Sequence, residues 1–198
     1  MTDVTKALML TSGDEASLDE VAELIAAAVA RQEALGLAGP LTAAEYRAHL
    51  YGLMERAEAG DAGLGTVVDS HGSIIGTAQW TRSSYRTRRT LAEVDRVCVA
   101  PTARGLGVGR MLVDLMTGDA ADHGIELLGL EVRGNNHGAI ALYENCGFRR
   151  TGLIPNAVAV DEDRYDVVLM HRELHRPAGV RLVGSQPIGA GSNALRRM

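Results

Sequence analysis

The apolar positions of the chain follow two periods. Residues 4–11 (VTKALMLT), 64–69 (LGTVVD), 73–81 (SIIGTAQWT), 91–99 (LAEVDRVCV), 126–132 (ELLGLEV), 148–153 and 164–171 (RYDVVLMH) are short apolar runs bounded by turn residues, the pattern of strands. Leu18, Val21, Leu24, Ile25, Ala28 and Val29 recur at helical spacing. They predict an amphipathic helix over 18–35, capped by Asp14 or Ser17 and ended by Gly36, Gly39 and Pro40. Thr42 with Glu45 has the form of a capping box, opening a second helix over 43–59 that Gly60 closes. Leu112, Val113, Leu115 and Met116 mark a third helix over about 107–123, and residues 136–145 a short fourth one. The order is β-α-α-β-β-β-α-β-α-β-β. Helices are too few for a doubly wound sheet, so the predicted fold is α+β: a mixed, mostly antiparallel central sheet flanked by about four helices.

Length and composition narrow this further. A chain of 198 residues with 46% hydrophobic and 23% charged residues is an ordinary single globular domain. The domain is expected over 1–175. Residues 176–198 form a Gly/Pro/Ser/Arg-rich extension without an acidic residue, a tail, an arm or a contact in a homodimer. The balance of 20 basic against 25 acidic residues argues against nucleic acid as a partner. No apolar run approaches the roughly 18–20 residues of a membrane span, so no membrane partner is expected. Asp3 stands where a secretory leader would be basic, which points to a cytoplasmic protein with Cys98 and Cys146 as free thiols. No metal is expected, because His171 and His175 lack a third ligand.

The stretch Arg104-Gly105-Leu106-Gly107-Val108-Gly109-Arg110 follows a strand and opens a helix. Glycines there let successive N–H groups converge, and the helix N-terminus adds partial positive charge, which together make a phosphate site. Arg104 is placed to add a charge-assisted contact. The spacing is not G-x-G-x-x-G, and no G-K-S/T follows, so a dinucleotide fingerprint and a P-loop are both excluded. A plain glycine-rich turn is the alternative.

Downstream, Asn136, Ala139, Leu142, Tyr143, Gly147 and Phe148 form N-x-x-A-x-x-L-Y-x-x-x-G-F. With the R/Q-x-x-G-x-G/A pattern at 104–109, the chain resembles the GNAT superfamily of acetyl-CoA-dependent N-acetyltransferases. A looser similarity extends to bacterial toxin- and antibiotic-acetylating members. The resemblance implies acetyl-CoA as co-substrate, with Arg104, Gly105, Leu106, Gly107, Val108, Gly109 and Arg110 around its pyrophosphate. It implies that Val97 and Val99 lend backbone groups to pantetheine and the thioester carbonyl. Asn136 falls beside the cofactor, and the Tyr143 hydroxyl near the sulfur, where it can protonate the leaving thiolate. The implied reaction moves an acetyl group to a primary amine of a small molecule by direct attack in a ternary complex. A non-catalytic acyl-CoA-binding module and a protein N-terminal or lysine acetyltransferase are the alternatives.

An acceptor ammonium must lose a proton before it attacks. Strict alternation along 91–99 places Glu93, Asp95, Val97 and Val99 on one face, with Cys98 on the other. Both carboxylates then point toward the groove. The resemblance implies a glutamate four residues before the oxyanion position Val97, where Glu93 falls, and so ranks Glu93 ahead of Asp95 as base; Arg82, Arg86 or Arg96 could instead neutralise either. With Asp161, Glu162 and Asp163 in the loop before the last strand, the carboxylates favour a cationic amine.

Overall fold

The structure, a computed structural model, describes residues 4–37, 39–176, 178–180 and 183. Most of the extension over 176–198 therefore lies outside the described residues. The elements are β1 (Val4–Met9), α1 (Glu15–Ala30), α2 (Ala43–Glu58), β2 (Ala62–Asp69), β3 (Ile74–Arg82), β4 (Leu91–Val99), α3 (Val108–Asp122), β5 (Leu127–Arg133), α4 (His137–Asn145), β6 (Arg149–Val160) and β7 (Asp163–Glu173), with 3-10 turns at Arg86–Arg88 and Pro101–Ala103. The expected α+β class and element order are both observed. The strands form one seven-stranded sheet in the order β1-β2-β3-β4-β5-β7-β6. Its pairs are antiparallel except β4 with β5, where α3 provides the crossover that a parallel pair requires.

Each face of the sheet carries an apolar layer, because alternate residues point to opposite sides. Leu18, Val21 and Ile25 of α1 and Tyr46 and Leu50 of α2 pack with Leu64 and Cys98 on one face. Leu112, Val113 and Met116 of α3 and Ile140 and Tyr143 of α4 pack with Ala92, Val94, Leu128 and Leu130 on the other. Trp80 is fully buried on that second face, its indole N–H donating to Asp119 Oδ2 at 2.6 Å. The capping box is present: Glu45 N donates to Thr42 Oγ1 at 3.2 Å, and Thr42 N to Glu45 Oε2 at 2.9 Å. Among the described residues no helix is long and apolar enough to cross a membrane.

Two segments depart from the pattern. Helix α1 ends at Ala30 instead of residue 35, since the chain turns at Gln32 with φ +57. Leu35 stays buried against α1 and α2 from the loop that follows. Strand β6 runs to Val160 instead of 153. It is an edge strand, so Pro155 is tolerated, and a register irregularity between Ile154 and Val158 hides its second half from an alternation count. Asp163 consequently begins β7, leaving Asp161 and Glu162 as the turn.

The feature that matters most for function is where β4 and β5 part. They pair only at Leu91↔Leu127, Ala92↔Leu128 and Glu93↔Gly129. From there β5 stays with β7, paired as far as Arg133↔Val167, and β4 stays with β3. The β3–β4 register jumps from Gln79↔Asp95 to Thr77↔Cys98, so Arg96 and Val97 together oppose Ala78. Arg96 has φ +53. This is a β-bulge, which bends its strand and breaks the alternation of the ladder.

Candidate active site

The splay opens a cleft of about 1000 Å³, of a size that holds small-molecule ligands. Residues 93–97 of β4 form one wall and residues 130–133 of β5 the other. The loop after α1, the β6 segment 157–160 and Asp161 border it on one side; Asn136, Ala139 and Tyr143 close it on the other.

Backbone direction along β4 follows from two hydrogen bonds. Ser83 N donates to Leu91 O, and Ala100 N donates to Ile75 O. Leu91 and Ala100 thus both turn toward β3, although strict alternation over that separation would turn them opposite ways. The extra residue at Arg96 resolves this. Past the bulge, Val97 and Val99 direct their N–H and C=O groups to the side that β5 has left.

The bulge also corrects the expected arrangement of side chains. Ala92 and Val94 belong to the α3/α4 layer, and Val97 and Val99 pack against that same layer. Cys98 belongs to the α1/α2 layer. Glu93 and Asp95 alternate with Ala92 and Val94, so they face α1 and α2. The carboxylates therefore do not share a face with the Val97 and Val99 side chains, and Cys98 shares a face with Glu93. The cleft passes through the sheet, with the Val97 backbone between a carboxylate side and an α4 side.

On the carboxylate side, Asp95 is set deep and Glu93 is exposed. Burial raises the Asp95 pKa; neighbouring Arg96, Gln79 and His49 act against that rise, and Glu93 adds to it. Asp95 Oδ1 is buried without a hydrogen-bond partner. Arg82, expected from the sequence as a neutralising partner, lies 3.0 Å from Asp61 instead, and Arg89 joins it there. The Tyr46 hydroxyl donates to Gln79 Oε1 at 3.4 Å, and burial pushes that phenol well above its usual range. Sequence reasoning missed Tyr46 and Gln79, which carry no motif.

On the other side stands Tyr143, only 9% exposed. Its ring meets Phe148 edge-on at 5.9 Å. Burial, with smaller contributions from Cys146 and Asp95, pushes its pKa up to about 12, so the phenol is a proton donor at neutral pH. Asn136 caps α4, its Oδ1 accepting from Ala139 N at 3.2 Å.

The glycine-rich turn lies beside the cleft, beyond its lining, at the C-terminal end of β4. Gly105 and Gly107 have φ +79 and +82, and nothing stands within 4 Å of the Cβ either one lacks. Met111 N to Gly107 O is the first helical bond of α3. The N–H groups of Val108, Gly109 and Arg110 therefore have no partner within the helix, and they carry the positive end of its dipole. An open cradle of free N–H groups fits a diphosphate. Gly109 differs, since its added Cβ would lie 2.9 Å from Leu142 Cδ2; it lets α3 approach α4. The Val108 side chain is core, and Leu106 is exposed. Arg104 lies 2.7 Å from Glu33 and is 52% exposed, while Arg110 lies 3.5 Å from Asp114.

Several known proteins are similar to this chain. The ribosomal protein bS18-alanine N-acetyltransferase of Escherichia coli K12 is 33% identical over 79 residues, which is 40% of this chain and 53% of that protein. Mycothiol acetyltransferase of Propionibacterium freudenreichii is 34% identical over 87 residues, 44% of this chain and 28% of that protein. The match thus spans about half the length of the first relative and less of the second. Among solved structures, a phosphinothricin acetyltransferase from Sinorhizobium meliloti in complex with acetyl-CoA superposes with a TM-score of 0.77 at 20% identity, covering 91% of this chain and 95% of that one. A ribosomal-protein-alanine N-acetyltransferase from Brucella melitensis gives 0.75 at 22% identity, covering 86% and 100%. These likenesses at low identity establish the fold. The sequence pattern of the acetyltransferase (GNAT) family matches residues 25–148, more than half of the chain, and with the splayed sheet and the glycine cradle it shows that this chain belongs to the GNAT acetyltransferase family.

Proposed function

We propose that this protein transfers the acetyl group of acetyl-CoA to a primary amine of a small molecule, by direct attack in a ternary complex. The observation that carries the reading is the through-sheet cleft. In that cleft the unladdered Val97 N–H lies between the half-buried Asp95 carboxylate on one face and the buried, neutral Tyr143 phenol on the other.

Acetyl-CoA supplies the activated acyl group as a thioester. The turn at Gly105–Arg110 binds the diphosphate through backbone N–H groups, with exposed Arg104 exchanging its partner Glu33 for phosphate. Val99 and Val97 hold the pantetheine arm as an added strand along β4, and Asn136 borders the arm across the cleft. The Val97 N–H donates to the carbonyl oxygen as it gains negative charge. Asp95 accepts the ammonium proton, directly or through water. Burial matches it better to that task than exposed Glu93, so we place it first. The C–N bond forms, the C–S bond breaks, Tyr143 protonates the departing thiolate, and the proton that the new amide nitrogen sheds, passed through water, restores the Tyr143 phenol.

Five carboxylates, Glu33, Glu93, Asp95, Glu131 and Asp161, line the cleft with Arg96 and Arg133; Glu33 is paired with Arg31 and Arg104, and among the described residues the other four are in no ion pair within 4.0 Å. That lining supports a cationic amine. A second reading, the α-amine of a protein N-terminus, is supported by the likeness to the bS18-alanine N-acetyltransferase. The expected assignments as a cytoplasmic protein and as a homodimer stay part of this proposal.

Free-thiol release from acetyl-CoA with matched cationic, neutral and anionic amines and alanine-initiated peptides tests the reading. Turnover of a small cationic amine, weakening with salt, is the expected result. Turnover of the peptides alone would establish the second reading. Binding of acetyl-CoA with no thiol release by any amine would leave only a non-catalytic module.

A further inference from the structure

We propose that Arg96 is a positioning residue: its contact with Leu35 fastens the loop after α1 as the wall of the acceptor site, and the same anchor holds its charge on the strand next to Asp95. The inference rests on the acetyltransferase reading above and adds a residue to it.

Arg96 occupies the positive-φ position of the bulge, where a non-glycine residue is strained. Its long side chain crosses from β4 to the loop after α1, and Nη1 donates to Leu35 O at 2.7 Å across 61 residues of sequence. Gly36 stands where it does for the same reason: a Cβ there would lie 3.3 Å from Arg96 Nη1, at φ +67. Residues 32–37 and 39–41 line the cleft, so this contact holds the acceptor wall to the strand that carries Val97. Arg96 Nε is buried without a partner. The guanidinium is thus partly withdrawn from solvent, and its charge is the largest of the influences that hold Asp95 in its charged form. The groups facing Asp95 are Glu93 and Arg96 from its own strand, Gln79 from β3, Tyr46 and His49 from α2, and Tyr143 from α4. Within that set the only permanent cation is Arg96.

Two variants separate the roles. Arg96→Gly keeps the positive-φ backbone, which glycine adopts freely, and deletes the side chain. Arg96→Lys keeps a cation but loses the fork that reaches Leu35. For Arg96→Gly, acetyl-CoA affinity should stay within about twofold and the acceptor KM should rise about tenfold or more. The acid limb of its kcat/KM profile should move to higher pH, since a carboxylate without its cation ionises later. For Arg96→Lys the acid limb should stay near the wild-type position while KM still rises. Two measurements need no turnover. Hydrogen exchange at residues 33–37 should accelerate in both variants, and the NMR titration of the Asp95 carboxyl should move up only in Arg96→Gly. Unchanged exchange together with an unchanged Asp95 titration in Arg96→Gly overturns the inference, whatever the activity. Failure of the wild type to release thiol with any amine, with these two shifts present, overturns the acetyltransfer reading and keeps the positioning role of Arg96.

Discussion

Replacing Gly107 with valine isolates the glycine cradle from the rest of the fold. Gly107 has φ +82, and nothing lies within 4 Å of the Cβ it lacks. The protein itself therefore offers no steric objection, and the cost is conformational. Holding an L-residue in the left-handed region costs about 1–2 kcal/mol, and the stiffer unfolded chain returns roughly 0.4–1 kcal/mol of that. The net loss is of order 1 kcal/mol, a fall in Tm of about 2–4 °C for a chain of this size. Binding should suffer far more. The Val108, Gly109 and Arg110 N–H groups point where they do because Gly107 turns the chain, and the new side chain would fill space the diphosphate needs. Loss of one charge-assisted hydrogen bond at about 1.5–3 kcal/mol weakens affinity by one to two decades. Gly118 is the control: it lies exposed within α3 with nothing near its missing Cβ and with no left-handed φ. Gly118→Ala should stabilise by about 0.5–1 kcal/mol and leave binding alone. Calorimetric titration with acetyl-CoA and thermal melts read both quantities. Wild-type affinity in a folded Gly107→Val variant would refute the assignment of this turn to the diphosphate.

Tyr143→Phe keeps the edge-on contact with Phe148 and removes only the hydroxyl; kcat should fall roughly 10- to 1000-fold where chemistry limits the rate, with acetyl-CoA affinity unchanged. Asp95→Asn should abolish most turnover yet stabilise the fold at neutral pH, because it removes a charge that burial disfavours; Glu93→Gln should cost less activity, and the reverse order would restore Glu93 as base. The sign of the pH dependence follows from the raised pKa of Asp95: its contribution to stability is complete below the unfolded value of 3.8 and is lost as pH rises through the folded one, so the melting advantage of Asp95→Asn should grow from pH 4 toward neutrality. The Tyr143 contribution is complete below 10 and lost between 10 and about 12, so Tyr143→Phe should flatten the alkaline loss of Tm in that window.

Much of the fold was legible because local signals and tertiary packing agree. The capping box at Thr42 and Glu45 began α2 where predicted, and the alternating runs located all seven strands. The glycine turn was legible too, since positive φ at Gly105 and Gly107 is a demand that glycine meets without strain. Three features were not. The second half of β6 contains Pro155 and an irregular register, which only an edge position permits. Leu35 continues a helical spacing but is buried by a loop, because the contact it needs lies beneath α1 rather than along it. The bulge at Arg96 has no sequence signature, since arginine is among the residues least expected at positive φ. Alternation carried across it then assigned Glu93 and Asp95 to the wrong face relative to Val97.

That misassignment exposes what the bulge does. In an unbroken ladder, a residue's side chain and its backbone groups are locked in one register, so whichever strand position offers its N–H to the cleft also fixes which side chains reach each face. A regular β4 would turn the Val97 N–H into the β3 ladder, where no thioester could use it. The extra residue frees that N–H while keeping Glu93 and Asp95 on the α1/α2 face and the valines on the α3/α4 face. Acyl transfer in a ternary complex needs this separation, because nucleophile and leaving group must approach one carbonyl from different directions. The parting of β4 from β5 beyond Glu93 and Gly129 supplies the gap, but a gap alone would leave only an unpaired strand edge on each side. The bulge turns one of those edges into an aimed donor, and the same residue that creates it reaches back to Leu35 to hold the wall against which an acceptor would lie.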